Sequence, residues 1–142
     1  MKKFIVLILV ISMLPLMSCR KELESVTVQH ILISFKGADP RIDVERTREE
    51  AKMLARQIFE RAKSGETFDA LVKEYTDDSH PGIYTMKNFN FAVDSSRGEF
   101  KREKMVKAFG DVSFKLKIGE IGMTEFNDVT SKYGWHIIKR IE

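Results

Sequence analysis

The chain has 142 residues, 32% of them charged and 43% hydrophobic, with a formal net charge of +3. That balance excludes a disordered polyelectrolyte and describes an ordinary folded domain. From Cys19 onward 22 basic residues face 21 acidic ones with no clustered basic face, which excludes the electrostatic footprint that nucleic-acid binding requires.

Residues 1–18 read as a signal. Lys2 and Lys3 form a basic start, residues 4–14 are an almost unbroken apolar run, and Ser18 precedes the single cysteine, Cys19. This is the charged, apolar and small-residue grammar of an export signal. The run is shorter than the roughly 20 apolar residues that span a bilayer. The tetrapeptide LMSC at 16–19 resembles the lipobox of bacterial lipoproteins, where the cysteine is acylated through sulfur. That resemblance implies lipidation of Cys19 and a lipid-anchored protein of the bacterial envelope, at the periplasmic face or the cell surface. The expected division is a signal at 1–18, a membrane-proximal linker at 19–25 and one domain at 26–142.

Within the domain, residues 26–35 are rich in β-branched and apolar side chains and predict a buried strand. The turn chemistry of 36–40 ends it. From 43 to 64, Ala51, Leu54, Ala55, Ile58 and Ala62 recur at helical spacing, and Gly65 closes the helix. Thr67 reads as the N-cap of a second helix over 68–75, with Phe68, Leu71, Val72 and Tyr75 on one face. Residues 76–82 are a loop, 83–93 hold a short strand, and 94–98 read as a surface insertion. A helix over 101–109 would set Met105 and Phe109 on one face at i and i+4. Residues 114–122 form a packed turn, and strands at 123–127 and 135–142 end the chain. Strands at both ends with helices between imply an α+β domain with a small antiparallel sheet.

Taken alone, His30 and His136 on apolar strands read as core histidines with satisfied hydrogen bonds ahead of functional groups. Asp77, Asp78 and His80 invite a metal reading, but three scattered histidines lack ligand spacing. A thiol hydrolase is excluded because the single cysteine lies at the signal, and a Ser131–His136 nucleophile pair lacks a nucleophile elbow. Lys36 and Arg41 read as cations of a solvated loop.

The ordered motifs are more specific than any single residue: VQHILI at 28–33, EEA at 49–51, GETF at 65–68, MVKAF at 105–109, SFKL at 113–116, GEI at 119–121 and YGWHIIK at 133–139. Together they resemble the parvulin family of peptidyl-prolyl isomerases over nearly the whole domain. The resemblance implies a parvulin-like (FKBP-like) fold: a four-stranded antiparallel sheet flanked by helices, the active site on its concave face. It implies that His30 and His136 are the paired histidines of the first and last strands. Ser131 then stands where many members have threonine, and Asp78 is the loop residue facing the substrate bond. Met105 and Phe109 match the proline pocket. Where many members carry GGDLG, this chain reads PGIYTM at 81–86, so Tyr84 takes the place of the pocket leucine.

The implied activity is cis–trans isomerisation of X-Pro bonds in unfolded or exported polypeptides, without metal, nucleotide or organic cofactor. The competing reading is a parvulin-like binding module, an envelope chaperone or assembly factor that isomerises weakly; the altered stretch 82–86 favours it.

Overall fold

The computed structural model describes residues 22–142, and the expected signal at 1–18 and Cys19 lie outside them. The first strand, β1 (Ser25–Ile33), is buried on both faces and serves as the central rail of the domain. Side chains alternate across a strand, so Ile31 and Ile33 face one core while Val26, Val28 and His30 face the other. The last strand, β5 (Trp135–Arg140), pairs antiparallel with β1 in a register that sets His30 opposite Ile138 and Leu32 opposite His136. The two histidines are therefore diagonal neighbours on one face. This register decides the site.

Two helices cover the Ile31 face. Helix α1 (Arg48–Lys63) buries Ile58 together with Ala51, Ala55 and Ala62, the small residues that let its backbone approach the sheet. It begins five residues later than the spacing predicts. Thr47 and Glu50 form a reciprocal capping box, in which Glu50 N–H donates to Thr47 Oγ1 and Thr47 N–H donates to Glu50 Oε2. That arrangement satisfies two helix-end donors and sets the boundary. Helix α2 (Phe68–Tyr75) adds Phe68, Leu71 and Val72 to the same core. Thr67 holds its N-cap position without a side-chain capping bond.

The sheet has five strands, not four, and it is mixed. Strand β2 (Ile83–Lys87) pairs antiparallel with β1, while β3 (Glu99–Lys101) pairs parallel with β2 at the sheet edge. On the other side of β5 lies β4 (Ile121–Thr124), giving the order β3-β2-β1-β5-β4. Three residues of Glu-Phe-Lys carry no periodic signal. They become a strand because Asp94 caps the preceding turn and Gly98, at φ +71°, swings the chain back beside β2.

The helix expected over 101–109 is also replaced. Residues 102–104 make one 3-10 turn, Met105 is extended at φ −85°, ψ 162°, and helix α3 (Lys107–Ser113) starts only beyond Val106. Long-range partners break the helix: the Arg102 guanidinium donates to Asn88 and Asp111, and Ala108 N–H donates to the Thr130 carbonyl. Met105 and Phe109 thus never share a helical face. Both still meet the cluster formed by Val26, Val28, Met86, Leu116 and Ile138 on the second face of the sheet.

Two glycines bring loops against β1. Gly82, at φ +63°, accepts from His30 N–H, and a Cβ there would stand 2.7 Å from the His30 carbonyl oxygen. Gly134, at φ +135°, would place a Cβ 2.2 Å from the Ile33 carbonyl oxygen. Only glycine fits such contacts in the left-handed half of φ space. Among the described residues no helix is long and apolar enough to cross a membrane.

Candidate active site

The site is a cleft of about 530 Å³ on the second face of the sheet. His30, Leu32 and His136 come to it from the two paired strands, and Tyr84 from β2. Met105, Val106 and Phe109 line it from the segment entering α3. Asp77, Asp78 and Ser79 reach it from the loop after α2, and Arg41, Asp39 and Tyr133 complete its rim.

The histidine rings stack with centroids 5.5 Å apart at 17°, and their Nδ1 atoms lie 3.4 Å apart. His30 Nε2 stands 3.1 Å from Asp78 Oδ2, and the Tyr84 hydroxyl donates to that same oxygen at 3.1 Å. The hydrogen bond from His30, followed by that from Ser79 N–H, outweighs burial and lowers the Asp78 pKa from 3.8 to about 2. Asp78 is therefore a carboxylate that only accepts, and His30 Nε2 must be the donor. In a neutral His30 ring Nδ1 is then the acceptor, and His136 Nδ1–H donates to it. This leaves His136 Nε2 as a lone pair, and it is buried without a hydrogen-bond partner among the described residues. Burial, reinforced by the neighbouring His30, pushes the His136 pKa from 6.5 down to about 3. Burial also raises the Tyr84 pKa, assisted by the Asp78 charge, so its hydroxyl keeps the proton that it donates.

Asp78 is held by a device that the linear pattern does not reveal. Leu32 N–H and Asp78 N–H both donate to Thr76 Oγ1, Asp77 N–H donates to the Leu32 carbonyl, and Ser34 N–H donates to Asp77 Oδ2. Arg46 donates to both Asp77 and the Ser34 carbonyl. The loop thus docks on the end of β1 like a short extra strand, with an ion pair behind it. The acidic pair at 77–78 is visible in the sequence, but its division of labour is not: Asp77 anchors and Asp78 faces the cleft.

Ser131 is buried and does not line the cleft. Its hydroxyl donates to the Gly134 carbonyl at 2.9 Å and meets Thr124 Oγ1 at 3.2 Å, while Thr124 Oγ1 accepts from His136 N–H. Thr124, which no sequence motif singles out, is thus the link between Ser131 and the His136 backbone. Arg41 is not a free loop cation: it donates twice to Asp39, lies over the Tyr133 ring and lines the cleft. Lys36 instead pairs with Glu45 at the surface. His80 turns away from the acidic pair to Asp69 on α2, at 3.1 Å.

A half-apolar cleft with a rigid, oriented polar floor can grip an apolar ring and set a fixed field beside it. The Tyr84 hydroxyl is hydrogen-bonded to the Asp78 carboxylate, but its raised pKa keeps the proton on it, so it is held as a donor and not activated as a nucleophile.

Comparison with known proteins agrees with this architecture. The family described as the PPIC-type PPIase domain matches residues 11–142. The chain is 34% identical over 113 residues to the chaperone SurA of Chromohalobacter salexigens, covering 79% of this chain and 21% of that protein. It is 33% identical over 100 residues to foldase protein PrsA 4 of Bacillus cereus, covering 70% of this chain and 31% of the relative. The chain therefore spans about a fifth to a third of the length of these curated relatives. Among solved structures it shares its fold with TbPIN1, at a TM-score of 0.60 and 24% identity over 84% of this chain and 98% of that one. A PpiC-type peptidyl-prolyl cis-trans isomerase domain gives a TM-score of 0.55 at 14% identity, covering 84% and 90% of the two chains. The chain belongs to the family of PPIC-type peptidyl-prolyl isomerase (parvulin) domains.

Proposed function

We propose that the chain is a peptidyl-prolyl cis–trans isomerase that assists the folding of exported proteins, binding unfolded, proline-containing segments in the cleft described above. The observation that carries the reading is the apolar pocket of Tyr84, Met105 and Phe109 set directly against the His136–His30–Asp78 chain. Relatives that are a chaperone and a foldase support it.

Rotation about an X-Pro bond faces a barrier of about 20 kcal/mol because the planar amide loses conjugation when twisted. Nothing needs to be broken. The pyrrolidine ring would sit in the pocket while the acyl side rotates. Removal of water favours the less dipolar twisted state, and the Asp78 carboxylate disfavours the negative carbonyl oxygen of the planar form. His30 and Tyr84 aim that carboxylate, His136 holds His30 from below, and Ser131 with Thr124 fixes the His136 backbone. This is differential binding of the transition state without a covalent intermediate or a cofactor.

A proline-limited refolding assay with and without the protein tests the activity. Asp78→Asn should retain part of it, because the amide oxygen still accepts from His30 and Tyr84 while the charge is gone. The expected loss is about 1–2 kcal/mol of transition-state stabilisation, roughly five- to thirtyfold in rate. A folded Asn variant with no detectable rate would point to an obligatory carboxylate and count against rotation in a fixed field. A wild type that binds proline peptides but never speeds refolding would leave the binding-module reading.

The proposal includes residues 1–18 as a signal, 19–25 as the linker and Cys19 as the lipid attachment site in the bacterial envelope. The apolar run at 4–14 and the LMSC tetrapeptide support this. Each buried acyl methylene contributes on the order of 0.8 kcal/mol, so two or more chains hold firmly where one does not. Cys19→Ala should move the protein from the membrane to the soluble envelope fraction. Equal membrane retention of the variant would exclude the lipid anchor.

A further inference from the structure

The chain enters the domain at one end of the sheet, and that end carries apolar side chains the fold does not bury. Asn88, just past β2, is buried and holds the entering segment. Its N–H donates to the Glu24 carbonyl, and its side-chain amide donates to the Leu23 carbonyl and to Glu22 Oε1. Lys87 adds an ion pair to Glu24. Residues 22–24 are thus fixed to the fold. Asn88 also begins a tight turn, in which Phe89 N–H donates to Asn88 Oδ1, Phe91 N–H donates to the Asn88 carbonyl and Asn90 takes φ +67°. Such turns favour small polar residues, yet this one presents two phenylalanines. Phe89 is 44% exposed, Phe91 36% and Leu23 39%. Phe89 is braced as well, because the Arg102 guanidinium lies 4.6 Å from its ring centroid and 4.5 Å from that of Phe114. Arg102 and Leu23 line one cavity, which joins Phe89 and Leu23 in a single surface.

We propose that Leu23, Phe89 and Phe91 form a membrane-contacting face that enters the headgroup layer of the bilayer carrying the anchor. The inference rests on the reading of Cys19 as the lipid attachment site and adds an orientation to it. Cys19 precedes Glu22 by three residues, a reach of at most about 11 Å for an extended chain. A bilayer that holds acyl chains on Cys19 therefore lies beside this face. Charge does not choose the partner, since Lys87 is paired with Glu24 and Arg102 with Asp111. Exposed apolar clusters on a polar domain mark contact surfaces, and at a lipid boundary they hold by burial among headgroups and upper acyl chains. The placement also serves the cleft. His30 lies seven residues beyond Leu23 along the β1 direction, about 23 Å at 3.3 Å per residue. The docked domain holds its cleft away from the lipid, open to a passing polypeptide.

The test places one reporter in the turn. Phe91→Trp is expressed from the full-length chain and purified from bacterial envelopes, and mass spectrometry reads the acylation of Cys19. The protein is reconstituted in phosphatidylcholine vesicles, plain or with brominated acyl chains, bromine being a short-range quencher of tryptophan. Trp135 is buried at the far end of β5 and serves as the internal reference. The introduced indole should shift to the blue and lose roughly half of its emission to bromine, as a ring at the headgroup–acyl boundary does. Trp135 in the wild type should not respond. Adding Leu23→Ser and Phe89→Ser should remove most of the quenching while the anchor keeps the protein on the vesicles. Leu23→Ser alone, which breaks no side-chain hydrogen bond, repeats part of that loss if the Phe89 change loosens the turn. An acylated protein whose indole is unquenched overturns the face and leaves the anchor standing. Quenching in a protein with no acyl group on Cys19 supports the face and removes the anchor. An indole neither quenched nor anchored overturns both. A blue shift that bromine does not quench means that protein covers the face, and quenching that survives both serine changes means that the tether alone brings it to lipid; either overturns the proposal.

Discussion

Phe109→Ala should lower the unfolding free energy by about 3–5 kcal/mol, the cost of emptying a large aromatic site in a closed core. Phe109 is only 2% exposed and packs with Val28, Met86 and Ile138. Its ring is 5.1 Å from His30, 5.5 Å from His136 and 6.1 Å from Tyr84. The same side chain therefore closes the second core and lines the cleft. Stability and activity should fall together in the alanine variant, measured by urea unfolding and by the isomerisation rate at a temperature where the protein stays folded. Phe109→Leu separates the two roles, since it keeps most of the volume and should cost no more than about 1.5 kcal/mol of stability. Its isomerisation rate should fall by a larger factor than its folded population. An alanine variant with an unaltered unfolding midpoint would show that the surrounding core has another closure.

Acid should destabilise the protein from pH 6.5 downward, and His136 should be the main reason. In the fold its pKa is pushed from 6.5 to about 3 by burial and by the adjacent His30. Its stabilising contribution is complete above pH 6.5, where the ring is neutral in both states. Below that pH the unfolded chain takes up a proton that the folded chain refuses. Stability then falls by about 1.4 kcal/mol per pH unit until the folded value is approached. At pH 4.5 the accumulated loss is about 2–3 kcal/mol, a large share of the 5–15 kcal/mol typical of a domain. Asp78 acts in a lower window. Its folded pKa of about 2 lies below the ordinary 3.8, so its contribution is present above 3.8 and is lost only as the pH falls from there toward 2. Urea unfolding at half-unit steps from pH 4.5 to 8 stays above the Asp78 window and isolates His136. His136→Gln should be less stable at pH 7 and markedly flatter between pH 4.5 and 6.5. Parallel profiles for the wild type and this variant would mean that His136 does not carry the acid sensitivity.

Elements whose signal is local are legible in the residues alone. The β-branched run of β1, the alanine-rich stripe of α1, the apolar face of α2 and the run of β5 each state their own periodicity. The motif order identified the family, and with it the pairing of His30 and His136 and the position of Asp78 beside them. The contacts of Tyr84 with Asp78 and Phe109 are seen only in the structure.

What the tertiary structure decided depends on partners far away in the chain. The helix expected over 101–109 is broken at Met105 because Arg102 is committed to Asn88 and Asp111, a pull that no local propensity records. β3 exists because β2 offers it a ladder, so a three-residue edge strand has no pattern of its own. The loop position of Asp78 is set by Arg46 and Asp77, which lie 31 residues apart in sequence. Ser131 reaches the site only through Thr124 and the His136 backbone. Periodicity and motif are properties of neighbouring residues, so the sequence by itself determined β1, α1, α2 and β5, the family and the candidate histidines. Hydrogen bonds and ring contacts across the fold decide which carboxylate faces the cleft, where the helix starts and which aromatic ring is left at the rim.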